Sequence, residues 1–405
     1  WLLHSCGKAS VTGPKSPYRS LRMFDAPAAE ALTLSNAKIV TDDAVVEGAL
    51  RVEHGRIAGL GQATDGRDMG GQYLVPGVVD IHTDHVERHV HPRLGVQWSF
   101  LPALMAHDAV VISGGTTTVF DSLSVGASMK RPERREILGP LVDALTDGQR
   151  RGMFRADHLL HLRCEISDPA TIDLVDATID HPLTRLVSVM DHTPGDRQSP
   201  DVEKWFHHMI HDMEVDETEG RVMMEDLFVR SRKMGAKVRH HIVQSALIRD
   251  LPLMSHDDRS LDHVADAVGE GIRISEFPTT VEAARAAKDA GMAVVAGAPN
   301  YLRGGSQSGN VAVAELLNLG LVDILASDYV PRSPLDAAFA IAADPAQGHD
   351  LPAALRLVTQ APAHLTGLSD RGTITEGARA DLAAIRLENG QPVVTAAWRA
   401  GQQVF

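Results

Sequence analysis

Short apolar runs alternate with longer amphipathic stretches through the centre of the chain. Eight of these runs have the length of buried strands, and helical patterns such as residues 132–150 and 281–290 separate most of them. This alternation predicts an α/β protein in which a parallel sheet closes into a (β/α)8 TIM barrel, with an open doubly wound sheet as the alternative. The predicted strands are residues 73–82, 116–121, 159–165, 186–191, 251–256, 272–277, 293–298 and 322–328.

The two ends of the chain have a different pattern, in which short strand-like runs are separated by polar turns. Asn389-Gly390, for example, is a tight-turn dipeptide. We predict one small β-sandwich domain built from residues 31–72 and 373–405, beside a barrel of residues 73–372. Residues 1–30 lack the apolar core of a signal peptide, and we expect a disordered or non-native leader there.

Composition and charge narrow the classes of partner. Apolar residues are 44% and charged residues 23% of the chain, as in ordinary globular proteins. The net charge of -14 argues against nucleic acid and anionic membranes, which favour basic surfaces. There are only 2 cysteines, so we expect no disulfide framework and a cytoplasmic location. The sequence leaves a monomer and a homo-oligomer both open.

Metal-binding side chains stand at the ends of most predicted strands. Because the carboxyl ends of barrel strands meet on one face, we expect these side chains to converge there. Imidazoles and carboxylates without a thiolate favour a catalytic zinc ion, with iron and manganese as alternatives. The polar strand-end residues are His82, Asp84, Asp121, Glu165, Asp191, His192, His256, Asp257, Glu276 and Asp328.

A loop rich in glycine and serine follows the seventh predicted strand and precedes a helix predicted to begin at Val311. Loops after strands seven and eight of a barrel often bind phosphate, and a helix N-terminus adds a favourable dipole. An exposed turn with Asn310 as the helix cap is the alternative. We predict an anion-binding site formed by Arg303, Gly304, Gly305, Ser306, Asn310 and Arg332.

Four features resemble the amidohydrolase superfamily. They are Pro76-Gly77-Val78-Val79-Asp80-Ile81-His82, Gly115-Thr116-Thr117-Thr118-Val119, the terminal Asp328 and the closing Gly377-Ala378-Arg379-Ala380-Asp381-Leu382. Within that superfamily, the chain is similar to the phosphonate-metabolism diphosphatases of the carbon-phosphorus lyase pathway, the PhnM family. The motifs that carry this resemblance include His82-Thr83-Asp84, Leu162-Arg163-Cys164-Glu165, Asp191-His192-Thr193-Pro194-Gly195, Ser255-His256-Asp257-Asp258 and Ser327-Asp328-Tyr329.

The resemblance implies a metal-dependent hydrolase of phosphoric anhydride bonds, acting on a small anionic substrate. It would cleave a ribose 1-alkylphosphonate 5-triphosphate to the 5-phosphate and pyrophosphate, with Asp328 as general base. One or two divalent ions, with zinc as the leading expectation, would be held by His82, Asp84, Glu165, His192, His256 and Asp328.

The chain departs from the superfamily pattern at one point. Asp84 stands where a second histidine usually completes a His-x-His pair, and no lysine offers itself as a carbamylated bridge. Glu165 would have to bridge instead, and His85 is an alternative contact. The rival function is hydrolysis of a C-N bond by a deaminase, cyclic amidase or deacetylase, while a non-catalytic homologue would be expected to lack Asp328.

Overall fold

The computed structural model describes residues 31–405 except 64, 94, 128–132, 196 and 307, so the predicted leader lies outside the described residues. The sixteen strands of the described residues form two sheets. They are β1 (Leu32–Val40), β2 (Val45–Glu53), β3 (Arg56–Gly61), β4 (Arg67–Asp68), β5 (Tyr73–Pro76), β6 (Val78–Thr83), β7 (Thr116–Val125), β8 (Asp157–Glu165), β9 (Thr184–Met190), β10 (Leu253–His256), β11 (Ile274–Glu276), β12 (Ala293–Gly297), β13 (Ile324–Ala326), β14 (Leu382–Glu388), β15 (Gln391–Arg399) and β16 (Gln402–Gln403).

Helices fill most of the connections between barrel strands, and none in the described part of the chain is long and apolar enough to cross a membrane. A short 3-10 turn spans Pro345–Gln347. The α-helices are α1 (Val86–Val90), α2 (Phe100–Ser113), α3 (Arg134–Arg150), α4 (Thr171–Thr178), α5 (Val202–Met213), α6 (Glu217–Ile248), α7 (Leu261–Gly269), α8 (Val281–Asp289), α9 (Ala298–Leu302), α10 (Val313–Asn318), α11 (Ser333–Ala343), α12 (Leu351–Arg356) and α13 (Gln360–Leu365).

Strands β6 to β13 are parallel and follow one another in chain order, which confirms the predicted (β/α)8 barrel. The barrel closes at the carboxyl ends of β6 and β13, where the Asp328 N-H donates to the His82 carbonyl at 2.9 Å and the Asp84 N-H to the Asp328 carbonyl at 3.0 Å. At the opposite end, the carbonyls of Leu357 and Val358 accept hydrogen bonds from the two strands. The predicted metal ligands His82, Asp84 and Asp328 are therefore held side by side.

The predicted first strand, residues 73–82, is two strands that belong to different sheets, so the prediction of a single strand was wrong. Tyr73–Pro76 pairs with β1 and β14 at the chain ends, and only Val78–Thr83 enters the barrel. The break falls at Gly77, whose position leaves no room for a Cβ beside the Thr117 side chain. Proline lacks the N-H that would continue the ladder, and glycine permits the close approach.

The second sheet is built from both chain ends, as predicted, in the order β16-β15-β14-β5-β1-β2-β3, with β4 on β1. The sheet curls, because Ile57 of β3 exchanges hydrogen bonds of 2.8 and 2.9 Å with Gly377 and Ala378 just before β14. This closure encloses an apolar core separate from that of the barrel, which includes Leu34, Ile39, Leu50, Val52, Ile57, Leu74, Leu382 and Trp398.

A buried network of ion pairs joins the barrel to this sheet. Asp157, the first residue of β8, lies 2.9 Å from Arg371, 2.5 Å from Arg379 and 3.5 Å from Arg399. Arg379 also contacts Asp381 at 3.1 Å, and the Ala400 N-H donates to that carboxylate. These contacts lie at the amino end of β8, opposite the end where the strand closes with Glu165.

Candidate active site

Glu276, at the end of β11, orients two buried histidines at the mouth of the barrel. Its carboxylate oxygens lie 2.5 Å from His82 Nδ1 and 2.6 Å from His256 Nδ1, and Ser188 donates a third hydrogen bond at 2.9 Å. The two imidazoles are stacked 5.9 Å apart. A carboxylate on Nδ1 fixes the tautomer of a metal-binding histidine and leaves Nε2 for the ligand. Within the described residues, the buried Nε2 of His82 has no hydrogen-bond partner.

Two carboxylates beside these histidines differ in protonation behaviour. Asp84 lies 3.3 Å from Arg163, which holds the pKa of Asp84 below its usual value although burial acts in the opposite direction. For Asp328, burial and the negative charge of Asp84 raise the pKa to about 6. A carboxyl group with that pKa can accept a proton near neutral pH, as a general base must.

Glu165 and His192 form a second part of the mouth. Glu165 lies 2.7 Å from His192 Nδ1 and accepts two hydrogen bonds from Ser167, at 2.8 and 3.1 Å. Burial favours the neutral acid, but these contacts hold the pKa of Glu165 below its usual value. His192, His256 and Asp257 each offer a ligand atom, and those atoms lie within 4.8 Å of one another.

Three residues beyond the barrel strand ends have left-handed backbone conformations. Asp257 follows β10, Phe277 follows β11 and Asp328 follows β13, with φ angles of 56°, 56° and 52°. Left-handed backbone costs a residue with a side chain about 1–3 kcal/mol, and such outliers cluster at functional sites. All three of these residues line the same cavity at the barrel mouth.

Two adjoining cavities open at the barrel mouth. A cavity of about 260 Å³ lies between Asp84, His256 and Asp328 on one side and the loop after β12 on the other. A cavity of about 570 Å³ reaches Glu165 and His192. Both cavities are lined by Gln198 and Ser308. Five of the six predicted metal ligands line these two cavities, and the sixth, His82, is buried behind them against Glu276.

The predicted anion loop contributes to the smaller cavity only in part. Ser306 and Asn310 line that cavity, whereas Arg303 is exposed and donates to the Tyr329 hydroxyl at 3.2 Å. The turn itself is formed by Gly304 and Gly305, both with positive φ. Tyr329 is a cavity residue, so Arg303 stands at the rim.

The helix after this loop does not begin at Val311, and that prediction was wrong. Helix α10 begins at Val313, and the Asn300 side chain accepts a hydrogen bond from the Val313 N-H at 2.9 Å. Asn300 also donates to the Val311 carbonyl at 3.0 Å. Asn300 therefore occupies one of the backbone N-H groups at the start of this helix, which has only 6 residues.

Arg332 points away from the mouth, so its prediction as a substrate contact is corrected. Its guanidinium contacts Asp336 at 3.1 Å and donates to the Pro392 carbonyl of β15. Arg332 therefore ties the barrel to the terminal sheet. The prediction that the second barrel strand ends at Asp121 was also wrong, because β7 continues to Val125.

Asp121 lies behind the barrel wall, on the side that faces α2. Its carboxylate lies 2.9 Å from His107 Nε2 and 2.8 Å from His158 Nδ1. It therefore belongs to a polar cluster distinct from the mouth, although the sequence grouped it with the other strand-end residues.

Several mouth residues were not assigned a role from sequence. They include Arg163, Asn300 and Ser308, while Glu276 was predicted as a strand-end residue but not as the carboxylate that orients two histidines. Arg163 could have been found, since it is two residues from Glu165 on β8 and alternate strand residues share one face. Asn300 and Ser308 line the cavity because of the conformation of the segment after β12. Such a conformation has no periodic pattern of apolar residues from which it could be predicted.

The donor set of the mouth fits a divalent metal ion. His82 Nε2 and Asp84 Oδ1 are buried and have no hydrogen-bond partner within the described residues, and Asp257 Oδ2 lies 3.3 Å from His256 Nε2. Buried polar atoms are normally paired, and the oxygens and nitrogens of this set are suited to zinc, iron or manganese.

A parallel (β/α)8 barrel with imidazoles and carboxylates able to hold a metal ion at its strand ends belongs to the class of barrel proteins whose active site lies at the mouth. The model of the amidohydrolase family matches residues 202–405. The chain is also 38% identical to the alpha-D-ribose 1-methylphosphonate 5-triphosphate diphosphatase of Escherichia coli (strain K12), over 92% of this chain and 100% of that protein. The chain belongs to the amidohydrolase family.

Solved structures agree on the fold. N-acetyl-D-glucosamine-6-phosphate deacetylase from Mycobacterium smegmatis is 15% identical with a TM-score of 0.60, over 92% of this chain and 99% of that one. L-hydantoinase from Arthrobacter aurescens is 14% identical with a TM-score of 0.53, over 92% and 95%. At these identities the similarity concerns the fold alone, because one barrel supports many reactions.

Proposed function

We propose that this protein hydrolyses a ribose 1-alkylphosphonate 5-triphosphate to the 5-phosphate and pyrophosphate, in phosphonate catabolism. The observation that carries this proposal is the 38% identity that spans the whole length of the Escherichia coli diphosphatase. The polar mouth, with two cavities and basic residues at the rim, is consistent with a substrate of several phosphates.

One or two divalent ions, zinc foremost, belong at the mouth in this proposal. The residues that would hold them are His82, Asp84, Glu165, His192, His256 and Asp328. When bound, a divalent ion supplies positive charge that acidifies a water molecule and neutralises phosphate oxygens. The role of Glu276 is to keep Nε2 of His82 and His256 directed to this centre.

Asp328 is the proposed general base. With a pKa raised to about 6 by burial and by Asp84, its carboxylate takes the proton of the attacking water. The water oxygen bonds to the phosphorus nearest the ribose, and the bond from that phosphorus to the pyrophosphate oxygen breaks. Pyrophosphate is a good leaving group, so stabilisation of its charge matters more than protonation.

Local donors must hold the substrate against the net charge of -14. In the smaller cavity these are the hydroxyls of Ser306 and Ser308 and the amide of Asn310, with Arg303 at the rim. The larger cavity is lined by Arg134 and Lys204, which add positive charge beside Glu165 and His192, and by Trp205. Together the two cavities provide separate places for the phosphate chain and for the rest of the substrate. A cytoplasmic location, where phosphorylated metabolites are found, is part of this proposal.

The test is direct assay of the purified protein with zinc and a ribose 1-methylphosphonate 5-triphosphate, followed by phosphorus NMR. We expect the triphosphate resonances to be replaced by those of pyrophosphate and a 5-phosphate. Protein stripped by a chelator serves as the control. The same preparation is offered an N-acetylated amino sugar and a dihydropyrimidine. Hydrolysis of either of these, with an unchanged triphosphate, would replace the proposal with the C-N hydrolase alternative.

A further inference from the structure

Three histidines behind the barrel mouth converge on one point. His85 precedes α1, His89 lies one turn later in that helix, and His107 lies on α2. The ring centroids are 4.9 Å apart for His85 and His89, and 5.9 Å from each of these to His107. One ring nitrogen from each histidine lies within 4.8 Å of the other two. We call these residues the three-histidine cluster.

Each histidine of the cluster carries a buried nitrogen that has no hydrogen-bond partner within the described residues. These atoms are His85 Nδ1, His89 Nε2 and His107 Nδ1. A single unpaired polar atom in a protein interior is costly and uncommon. Three imidazole nitrogens that face one another are more unfavourable, unless a shared partner accepts their lone pairs.

The nitrogen of His107 is oriented by residues behind it. His107 Nε2 lies 2.9 Å from Asp121, whose other oxygen lies 2.8 Å from His158 Nδ1. His158 Nε2 in turn lies 3.3 Å from Asp108. Because the Asp121 carboxylate accepts a hydrogen, Nε2 of His107 is the protonated nitrogen and Nδ1 keeps its lone pair. A carboxylate behind a histidine is the usual support of a metal ligand.

We propose that His85, His89 and His107 form a second divalent-metal site, of a kind suited to zinc, distinct from the centre at the barrel mouth. None of the three lines either mouth cavity. Three nitrogens bound to one tetrahedral zinc at about 2.0–2.1 Å would lie about 3.3 Å apart. Side-chain rotations that move the ring nitrogens by roughly 1 Å would therefore complete the site.

The three histidines would leave one of the four coordination positions of zinc for water or another ligand. The location of the site between α1 and α2 indicates a structural role. His85 and His89 are only half buried, which gives an ion a route from solvent. An ion held by all three would fasten α1 to α2, immediately after the residues that β6 contributes to the mouth. Without a thiolate, the site would also accept copper or nickel, which compete with zinc for imidazole.

The primary experiment counts bound metal in the whole protein. Protein stripped with a chelator is reloaded with zinc alone, dialysed and analysed by elemental mass spectrometry. We expect the double variant His85→Gln with His89→Gln to bind one ion fewer per chain than the unsubstituted protein. The matched control is His207→Gln with His211→Gln, a pair with the same spacing on α5 whose residues are both exposed. An equal zinc content in the His85 and His89 variant would overturn the proposal.

A mouth variant separates this proposal from the proposed function. His256→Gln should lose metal at the mouth, and its combination with the cluster variant should lose one ion more. If the two losses are not additive, the cluster is not a separate site. Turnover of the triphosphate is not needed for this comparison, so failure of the proposed function would leave it intact.

A second measurement uses the unsubstituted protein, in case the double variant does not fold. Diethyl pyrocarbonate modifies accessible imidazole nitrogens, and peptide mass spectrometry locates the modified residues. Zinc should protect His85 and His89, while His207 and His211 react equally with and without zinc. Equal modification of His85 and His89 in both conditions would refute binding at the cluster.

Discussion

Strand β8 carries a buried carboxylate at each end, and the two ends differ in the partners of that carboxylate. At the amino end, Asp157 contacts three arginines that come from the C-terminal part of the chain. At the carboxyl end, Glu165 contacts His192 and Ser167. Arginine stays charged at every accessible pH, whereas a histidine can lose its proton and bind a metal instead. The amino end of β8 therefore has a permanently charged structural contact, whereas the contact of Glu165 with His192 at the carboxyl end can be replaced by a metal ion.

The pKa values reflect this division. At the amino end of β8, the arginines lower the pKa of Asp157 to about 2 although burial acts in the opposite direction. At the mouth, burial and Asp84 raise the pKa of Asp328 to about 6. Groups that titrate near neutral pH are characteristic of catalytic sites, while groups titrating far from it serve stability. Barrel enzymes place chemistry at the carboxyl ends of their strands in the same way.

Removing the charge of Asp157 at the amino end of β8 should have the largest effect. We expect Asp157→Asn to lower the free energy of unfolding by about 3–5 kcal/mol, because it leaves buried arginines without their partner. Chemical denaturation measures the loss, and zinc content per folded chain should not change.

The reciprocal variant Glu165→Gln should lower zinc retention on dialysis and alter the stability of the metal-free protein far less. If Glu165→Gln instead destabilises the metal-free protein as much as Asp157→Asn, the two ends do not differ in role.

Replacing the general base should have the next largest effect, and on turnover alone. Asp328→Asn should reduce kcat for the triphosphate by about 10²-fold or more, the usual scale for general base catalysis. The melting temperature should change little. Asp336→Asn is the matched control, because that carboxylate contacts Arg332 away from the mouth. Turnover close to normal in Asp328→Asn would remove this residue from the mechanism.

Two arginines from the same region of sequence offer a finer test. Arg303 stands at the cavity rim, and Arg332 contacts the terminal sheet. Arg303→Ala should raise KM for the triphosphate about fivefold, corresponding to roughly 1 kcal/mol for an exposed charged contact. Arg332→Ala should leave KM unchanged and lower the melting temperature. Steady-state kinetics that show the reverse pattern would return Arg332 to the substrate site.

A further test is the pH dependence of stability that arises from Asp157 at the amino end of β8. The pKa of Asp157 is lowered to about 2 in the folded protein, against about 3.9 in an unfolded chain. Its carboxylate therefore stabilises the fold fully above about pH 4, and this contribution is lost as the pH falls towards 2. The difference in unfolding free energy between the unsubstituted protein and Asp157→Asn should shrink over that range. A difference that stays constant would show that Asp157 is not the responsible group.

The sequence predicted the fold well because the barrel depends on a pattern repeated eight times. Each buried strand and each amphipathic helix has its own period, so one uncertain boundary does not change the topology. The boundary error at Gly77 had a specific cause, since residues on both sides are apolar and buried and only tertiary pairing separates them into two sheets.

The site was predictable where it lies on strands and less so where it lies on loops. His82 and His256 could be placed from the strand ends, because the barrel fixes where those ends meet. Arg332 was misassigned because its direction depends on β15, about sixty residues later in the chain. Helix α10 starts late because the distant Asn300 supplies its cap. Such contacts depend on the folded chain, so no local pattern records them.

The central claim is that water attacks the phosphorus nearest the ribose at the barrel mouth, and labelled water tests it most directly. The zinc-loaded protein is incubated with a ribose 1-methylphosphonate 5-triphosphate in water enriched in ¹⁸O, and the products are separated and analysed by mass spectrometry. We predict that the label enters the 5-phosphate and that the released pyrophosphate carries none. Label in the pyrophosphate, or release of single phosphates without pyrophosphate, would contradict the account.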